Sequence, residues 1–121
     1  MTEAKTYEGS CHCGAVRYEV TMAEPTQAFG GNCSMCARMG WLLAFVPESS
    51  FRLLSGEDAL RDYQFGKKNV HHLFCTTCGV RSFTRGKNKT GEPVVVLNLR
   101  CVQGLDATKL PVHSFDCAAI T

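Results

Sequence analysis

Two short stretches decide how this chain is read: Cys11-His12-Cys13-Gly14 and Phe74-Cys75-Thr76-Thr77-Cys78-Gly79. Each sets two thiols in a tight turn closed by glycine, the residue that reaches positive-φ backbone at no steric cost. Such a turn lets backbone N–H groups point at the sulfurs, and two turns together supply the four thiolates of a closed tetrahedral zinc site. Cys11, Cys13, Cys75 and Cys78 are therefore read as one structural metal centre, tying the first strand of the domain to its middle. The alternatives are ordinary buried cysteines or disulfides. Chance rarely places six of eight cysteines in three close pairs, as here. The opening Met1-Thr2-Glu3-Ala4-Lys5-Thr6 has no apolar signal region, so the chain reads as non-secreted and cytoplasmic. In a reducing compartment paired thiols point to metal or redox chemistry rather than disulfides. Tetrahedral sulfur also suits iron, but zinc is the commoner closed structural choice.

A length of 121 residues predicts one domain over 1–121, large enough for a core and small enough to gain from a metal staple. The 13 basic and 11 acidic residues are spread along the chain for a net charge of +2, with no basic block, so no nucleic acid partner is expected. The longest apolar run, Trp41 to Val46, is far shorter than the roughly 20 residues that cross a bilayer, so no membrane partner is expected. A homodimer is compatible with a chain of this kind.

The patterning predicts strands. Val16, Tyr18 and Val20 alternate with polar residues and should face the core. Gln27 to Gly31 reads as the next strand, with a short helical turn after Cys36. Trp41 to Val46, closed by Pro47, is a buried strand, with Trp41 and Phe45 most simply core and the lining of a pocket beside Cys36 the sharper alternative. Further strands are expected at Phe51 to Ser55, Arg61 to Phe65, Val70 to Phe74, Val80 to Arg85 and Val94 to Leu99, the last central by composition. Lys67, Lys68 and Asn69 form a hairpin tip, and the stretch from Gly86 to Pro93 an exposed loop. No helix-period segment of a dozen residues is present. The fold class is all-β, mainly β with little helix: small antiparallel sheets assembled around the four-cysteine structural zinc.

The third pair, Cys33-Ser34-Met35-Cys36, carries the functional question. A redox dithiol usually needs its first thiol at the start of a helix within a βαβ unit, which the patterning does not show. An inert pair is the second reading. An open zinc site, completed by a substrate thiol or water, is the third.

The motifs Gly9-Ser10-Cys11-His12-Cys13-Gly14-Ala15-Val16-Arg17, Cys33-Ser34-Met35-Cys36 followed by Gly40, and His72-Leu73-Phe74-Cys75-Thr76-Thr77-Cys78-Gly79-Val80 resemble the glutathione-dependent formaldehyde-activating enzyme family, which includes centromere protein V. Phe45-Val46-Pro47, Leu53-Leu54-Ser55-Gly56, Asn98-Leu99-Arg100-Cys101 and Phe115-Asp116 extend the resemblance over nearly the whole chain. It implies an Mss4-like fold and a carbon–sulfur lyase that joins a small-molecule thiol, glutathione, to an aldehyde, formaldehyde, giving S-hydroxymethylglutathione. It also implies that Cys11, Cys13, Cys75 and Cys78 hold a structural zinc and that a second, catalytic zinc sits on a CxCxxC run. Those ligands fall on positions 31, 33 and 36, and position 31 is Gly31, which offers no side-chain donor. Cys33 and Cys36 remain as catalytic and metal-binding residues of a depleted site. By residue type Cys101, His71 or His72 could replace the missing ligand.

In a working site, zinc would hold the glutathione thiol as a thiolate that attacks formaldehyde. A nearby donor would protonate the resulting oxygen. Glutathione carries two carboxylates, which suit guanidinium forks. Arg38 and Arg81 are the chosen glutathione-binding residues among Arg38, Arg52, Arg81, Arg85 and Arg100, each of which could equally be part of a solvated strand face. His12 should face solvent, and structural roles are expected for His71 and His72. Two other function classes compete. A non-catalytic zinc-stapled interaction module is favoured by Gly31. A methionine sulfoxide reductase-like enzyme would use a late cysteine such as Cys101, but such enzymes carry two CxxC hooks and this chain opens with CxC.

Overall fold

The computed structural model describes residues 4–66, 68, 70–88 and 90–115. Asp116, Lys67, Asn69 and the first three residues, all invoked above, lie outside the described residues. Two sheets face each other. The smaller is a three-stranded antiparallel sheet in the order β1 (Ala4–Ser10), β2 (Arg17–Ala23), β5 (Phe51–Ser55). The larger has seven strands: β10 (Val112–Phe115), β3 (Ala28–Gly31), β4 (Leu43–Pro47), β9 (Pro93–Asn98), β8 (Phe83–Lys87), β7 (His71–Cys75) and β6 (Leu60–Tyr63). Its neighbours are antiparallel except β10 and β3, which run parallel. The fold is mostly β, as the patterning predicts. No helix among the described residues is long and apolar enough to cross a membrane.

Side chains alternate across a strand, so each strand of the larger sheet serves two environments. One face, with Val46, Cys75, Phe83, Val95 and Leu97, packs on Val16, Tyr18 and Val20 from the smaller sheet to form the main core. Tyr18, Phe51 and Phe83 stack there, Phe83 edge-on to Tyr18 at 5.8 Å and tilted to Phe51 at 4.7 Å. The opposite face is set by one cross-strand row. His72 pairs with Thr84, Thr84 with Val96 and Val96 with Phe45, from β7 through β8 and β9 to β4. That row turns away from the smaller sheet, toward the helix α1 (Ser34–Met39).

The structure adds one strand that the patterning does not show and refines two expectations. The N-terminal strand β1 carries no alternation, being exposed along most of its length, and it is held by pairing with β2 from Ala4↔Ala23 to Ser10↔Arg17. The helix starts directly after Cys33 rather than after Cys36. Trp41 is buried as expected, but Phe45 remains 38% exposed, so it is not core. It lies on the outward row of a strand whose other face carries the buried Val46.

Removing Phe83 would leave a void between the sheets. Phe83→Ala is expected to cost about 3–5 kcal/mol, read from the urea midpoint. A cost under about 1 kcal/mol would place Phe83 outside the cooperative core.

Candidate metal centre and candidate reaction pocket

The two hooks are built alike. In the first, Cys11 N–H donates to the Val16 carbonyl at 3.0 Å, Gly14 N–H donates back to the Cys11 carbonyl at 3.3 Å, and Val16 N–H donates to Cys11 Sγ at 3.3 Å. In the second, Cys75 N–H donates to the Val80 carbonyl at 3.1 Å and Gly79 N–H to the Cys75 carbonyl at 2.8 Å. Gly14 and Gly79 adopt φ of 83° and 79°, left-handed backbone that closes each turn and that other residues enter only under strain. The first hook joins β1 to β2 and the second joins β7 to β8, so each sheet contributes one hairpin.

The four sulfurs meet between these hairpins. Cys13 Sγ lies 3.6 Å from both Cys11 Sγ and Cys75 Sγ, and all four Sγ atoms fall within 4.8 Å of one another. Zinc–sulfur bonds of about 2.3 Å set tetrahedral sulfurs about 3.8 Å apart, so the donor set fits such an ion. The electrostatics agree. Backbone N–H groups of Cys13 and Val80 pull the Cys78 thiol down to about 6, and those of Cys78 and Thr77 lower Cys75. Cys13 moves the other way: the Ala15 amide lowers it, but desolvation and the adjacent sulfurs push it up to about 11. Sulfurs this close cannot all be anions unless a cation sits among them. Cys11, Cys13, Cys75 and Cys78 could therefore hold a metal such as zinc. His12, between two of them, faces solvent.

Cys33 and Cys36 lie elsewhere, beyond the opposite face of the larger sheet. Cys33 is the N-cap of α1, its Sγ accepting from Cys36 N–H at 3.3 Å, and Gly40 at φ 62° ends the helix. Trp41 Nε1–H donates to Cys36 Sγ at 3.5 Å. Both cysteines are buried and line an apolar pocket of about 50 Å³ with Trp41, Leu43, Phe45 and Phe115, floored by the row of His72, Thr84 and Val96. Trp41 is thus both buried and pocket-lining, and Phe45 belongs to the pocket.

Of the three replacement ligands open to the sequence, the structure brings one to this pocket. His72 is 4% exposed and lines it, stacked on Phe65 at 5.1 Å. Burial, assisted by the charge of Arg81, lowers its pKa to about 4, so the ring is neutral near pH 7. His71 points to the other side and pairs with Asp62 at 2.6 Å. Cys101 Sγ is directed at the Arg81 carbonyl, and burial, with Cys11 and Cys78 adding to it, raises its thiol to about 11. Gly31 ends β3. Among the described residues, the four-sulfur group is the one cluster of three or more donors close enough to share an ion.

The arginines separate by partner. Arg52 pairs with Glu19 at 3.6 Å, and Arg85 lies over Phe51 and Phe83. Arg38 is exposed on α1, its Nη1 donating to the Ser34 carbonyl at 3.0 Å. Arg81 sits over the Tyr63 and Phe74 rings at 5.9 and 5.7 Å, and its buried Nη1 finds no hydrogen-bond partner among the described residues. The Phe65–His72 stack and the Trp41–Cys36 hydrogen bond are features that sequence reasoning missed. The shared face of Val70, His72 and Phe74 is the one sequence signal that points toward the first.

Hairpins from two sheets that bring four thiols together, with a separate thiol pocket behind them, define a mostly β domain of Mss4-like fold whose cysteine cluster could hold a metal such as zinc. Residues 6–117 match the family model described as glutathione-dependent formaldehyde-activating enzyme, and the chain belongs to that family. A crystal structure of a Rhodobacter sphaeroides protein, a structural-genomics target, is similar at 30% identity over 88% of this chain and 99% of that one, with a TM-score of 0.76.

If the centre is what holds the hairpins together, purified protein should carry zinc, and Cys75→Ala should lose it and unfold. A structural zinc contributes roughly 10–16 kcal/mol in small domains, more than the usual stability of a domain of this size. Circular dichroism and metal analysis read both effects together. A cooperative, zinc-free Cys75→Ala protein would refute the assignment.

Proposed function

We propose that the protein adds the thiol of glutathione to formaldehyde, forming S-hydroxymethylglutathione, at the pocket containing Cys33 and Cys36. The family supports a glutathione-related, formaldehyde-activating role in general. The observation that carries the finer reading is the pocket itself: two buried thiols beside about 50 Å³ of apolar space, room for a formaldehyde or the sulfur-bearing end of a thiol but not for a tripeptide. The rest of glutathione would lie outside, its carboxylates toward Arg38 and Arg81. Arg81, with a buried, unpartnered N–H group, is the stronger anion clamp of the two.

A zinc held by Cys11, Cys13, Cys75 and Cys78 would have all four positions filled by protein, so its part would be to hold the fold. The CxCxxC donor set of the family is one thiolate short in this chain, because Gly31 supplies no side-chain donor. The chemistry is therefore assigned to the chain's own groups. Apolar walls exclude water from the reacting carbon and strengthen every dipole inside the pocket. The pocket's task is to hold the thiol sulfur of glutathione against the carbonyl carbon.

A second reading, a non-catalytic binding module stapled by zinc, is favoured by the same Gly31. The sulfoxide-reductase reading loses ground, since a thiol raised to about 11 is a poor nucleophile and Cys101 lies outside the pocket.

The enzyme reading predicts S-hydroxymethylglutathione formation above the spontaneous rate. Cys33→Ser, which keeps an oxygen to cap α1, should remove that excess with zinc content unchanged. No excess in the wild-type protein would leave the module reading standing. Gly31 is not among the positive-φ glycines, so a side chain there meets no backbone penalty. Gly31→Cys is expected to raise zinc from one to two per chain by completing a three-thiolate set. A content that stays at one would show that the pocket is not laid out for a metal.

A further inference from the structure

We propose that His72 receives the carbonyl oxygen of the small aldehyde in this pocket, its ring N–H donating a hydrogen bond to that oxygen while the carbon–sulfur bond forms. The inference rests on the reading that the Cys33–Cys36 pocket takes an aldehyde.

Buried polar groups almost always find partners, and leaving one unmet costs about 1–3 kcal/mol. Six buried side-chain atoms lack a partner among the described residues. Two of them are Nδ1 and Nε2 of His72, and they are the ones that belong to a residue of the pocket lining. Apart from the Thr84 hydroxyl, the two thiols and the Trp41 N–H, which is given to Cys36 Sγ, the other lining residues are apolar, so His72 brings the pocket a neutral ring whose donor and acceptor both lack a partner among the described residues. The ring cannot turn away easily. Strand pairing fixes its backbone between Tyr63 and Thr84, and Phe65 covers one face.

The chemistry of the pocket selects the ligand. Apolar walls and a neutral ring disfavour a charged ligand and suit a small neutral molecule with one acceptor atom, which a carbonyl oxygen provides. A neutral imidazole N–H is a suitable electrophile, since its hydrogen bond strengthens as charge grows on the oxygen. The step balances without a redox partner. The sulfur's electron pair forms the C–S bond, and the C=O π pair moves to oxygen. That oxygen takes the ring N–H proton, and the second ring nitrogen takes the proton that the thiol gives up. Thiol plus aldehyde becomes hemithioacetal, and the ring ends neutral in its other tautomer.

The test compares zinc-loaded wild type, His72→Phe and His72→Gln in two assays. One measures the rate of S-hydroxymethylglutathione formation above background. The other follows the His72 ring nitrogens by NMR during titration with formamide, an unreactive carbonyl compound. Phe keeps the stack on Phe65 and should lower the excess kcat about 10²–10³-fold with little change in KM for glutathione, as for loss of one oxyanion donor. Gln keeps an N–H donor and should recover part of the rate. Formamide should shift the His72 ring signals saturably. Unimpaired excess rate in a folded His72→Phe protein, or ring signals that formamide does not move, overturns the proposal. If wild type shows no excess rate, the reading of the reaction fails, and formamide alone decides whether His72 is a carbonyl site. Should His72→Phe not fold, a full excess rate in His72→Gln, or a formamide titration of wild type that leaves the ring signals unmoved, overturns the proposal instead.

Discussion

Four sulfurs converging from two hairpins are the constraint on which this structure depends. Each hook is a strand-to-strand turn, one within each sheet, so any ion they share bonds the three-stranded sheet to the seven-stranded one. Otherwise the sheets are held together by apolar packing around Tyr18, Phe51 and Phe83. Apolar packing is strong but non-directional, and it tolerates small slides. A tetrahedral centre does not, because its bonds fix distance and angle at once.

That fixed frame positions the second site without contributing an atom to it. Strand β7 ends in the ligand Cys75 and carries His72 three residues earlier, an odd spacing that turns the two side chains to opposite faces. One face of β7 therefore presents a thiol to the four-sulfur cluster while the other places an imidazole in the pocket. The same alternation gives Phe83 to the core and Thr84 to the pocket on β8, and Val95 to the core and Val96 to the pocket on β9. A one-residue slip in any of these pairings would exchange the two faces, so an ion held by the four sulfurs would also protect the composition of the pocket.

Much of this was legible in the sequence because it is local. A CxC or CxxC turn closed by glycine announces its geometry within a few residues, and Val16, Tyr18 and Val20 announce their face by alternation. What could not be read is set by pairing between distant strands. Strand β1 has no apolar periodicity, since it is an edge strand exposed for most of its length, and only its partner β2 makes it a strand. Helix α1 is six residues long, too short for a periodic signal, and it is defined by Cys33 at one end and Gly40 at the other. His72 could be assigned to a face, but its meeting with Phe45 depends on the order β7, β8, β9, β4, which no local pattern encodes.

The two sulfur clusters receive N–H donors alike, Cys33 Sγ from the Cys36 backbone and Cys36 Sγ from Trp41, but they differ in what surrounds them. In the hooks, backbone N–H groups favour thiolates, and the centre suits a cation. In the pocket, Leu43, Val96, Phe115 and a buried neutral imidazole oppose fixed charge, and Gly31 withholds the third thiolate that would have favoured a metal. Thiol addition to a carbonyl begins and ends with neutral molecules and passes through a charged oxygen between them. A pocket that repels standing charge yet presents a hydrogen-bond donor discriminates between those stages, binding the reactants weakly and the transition state more tightly. On the proposed reading, the glycine is then a departure that shifts the work of charge stabilisation from a metal to His72 on β7, four strands along the same sheet.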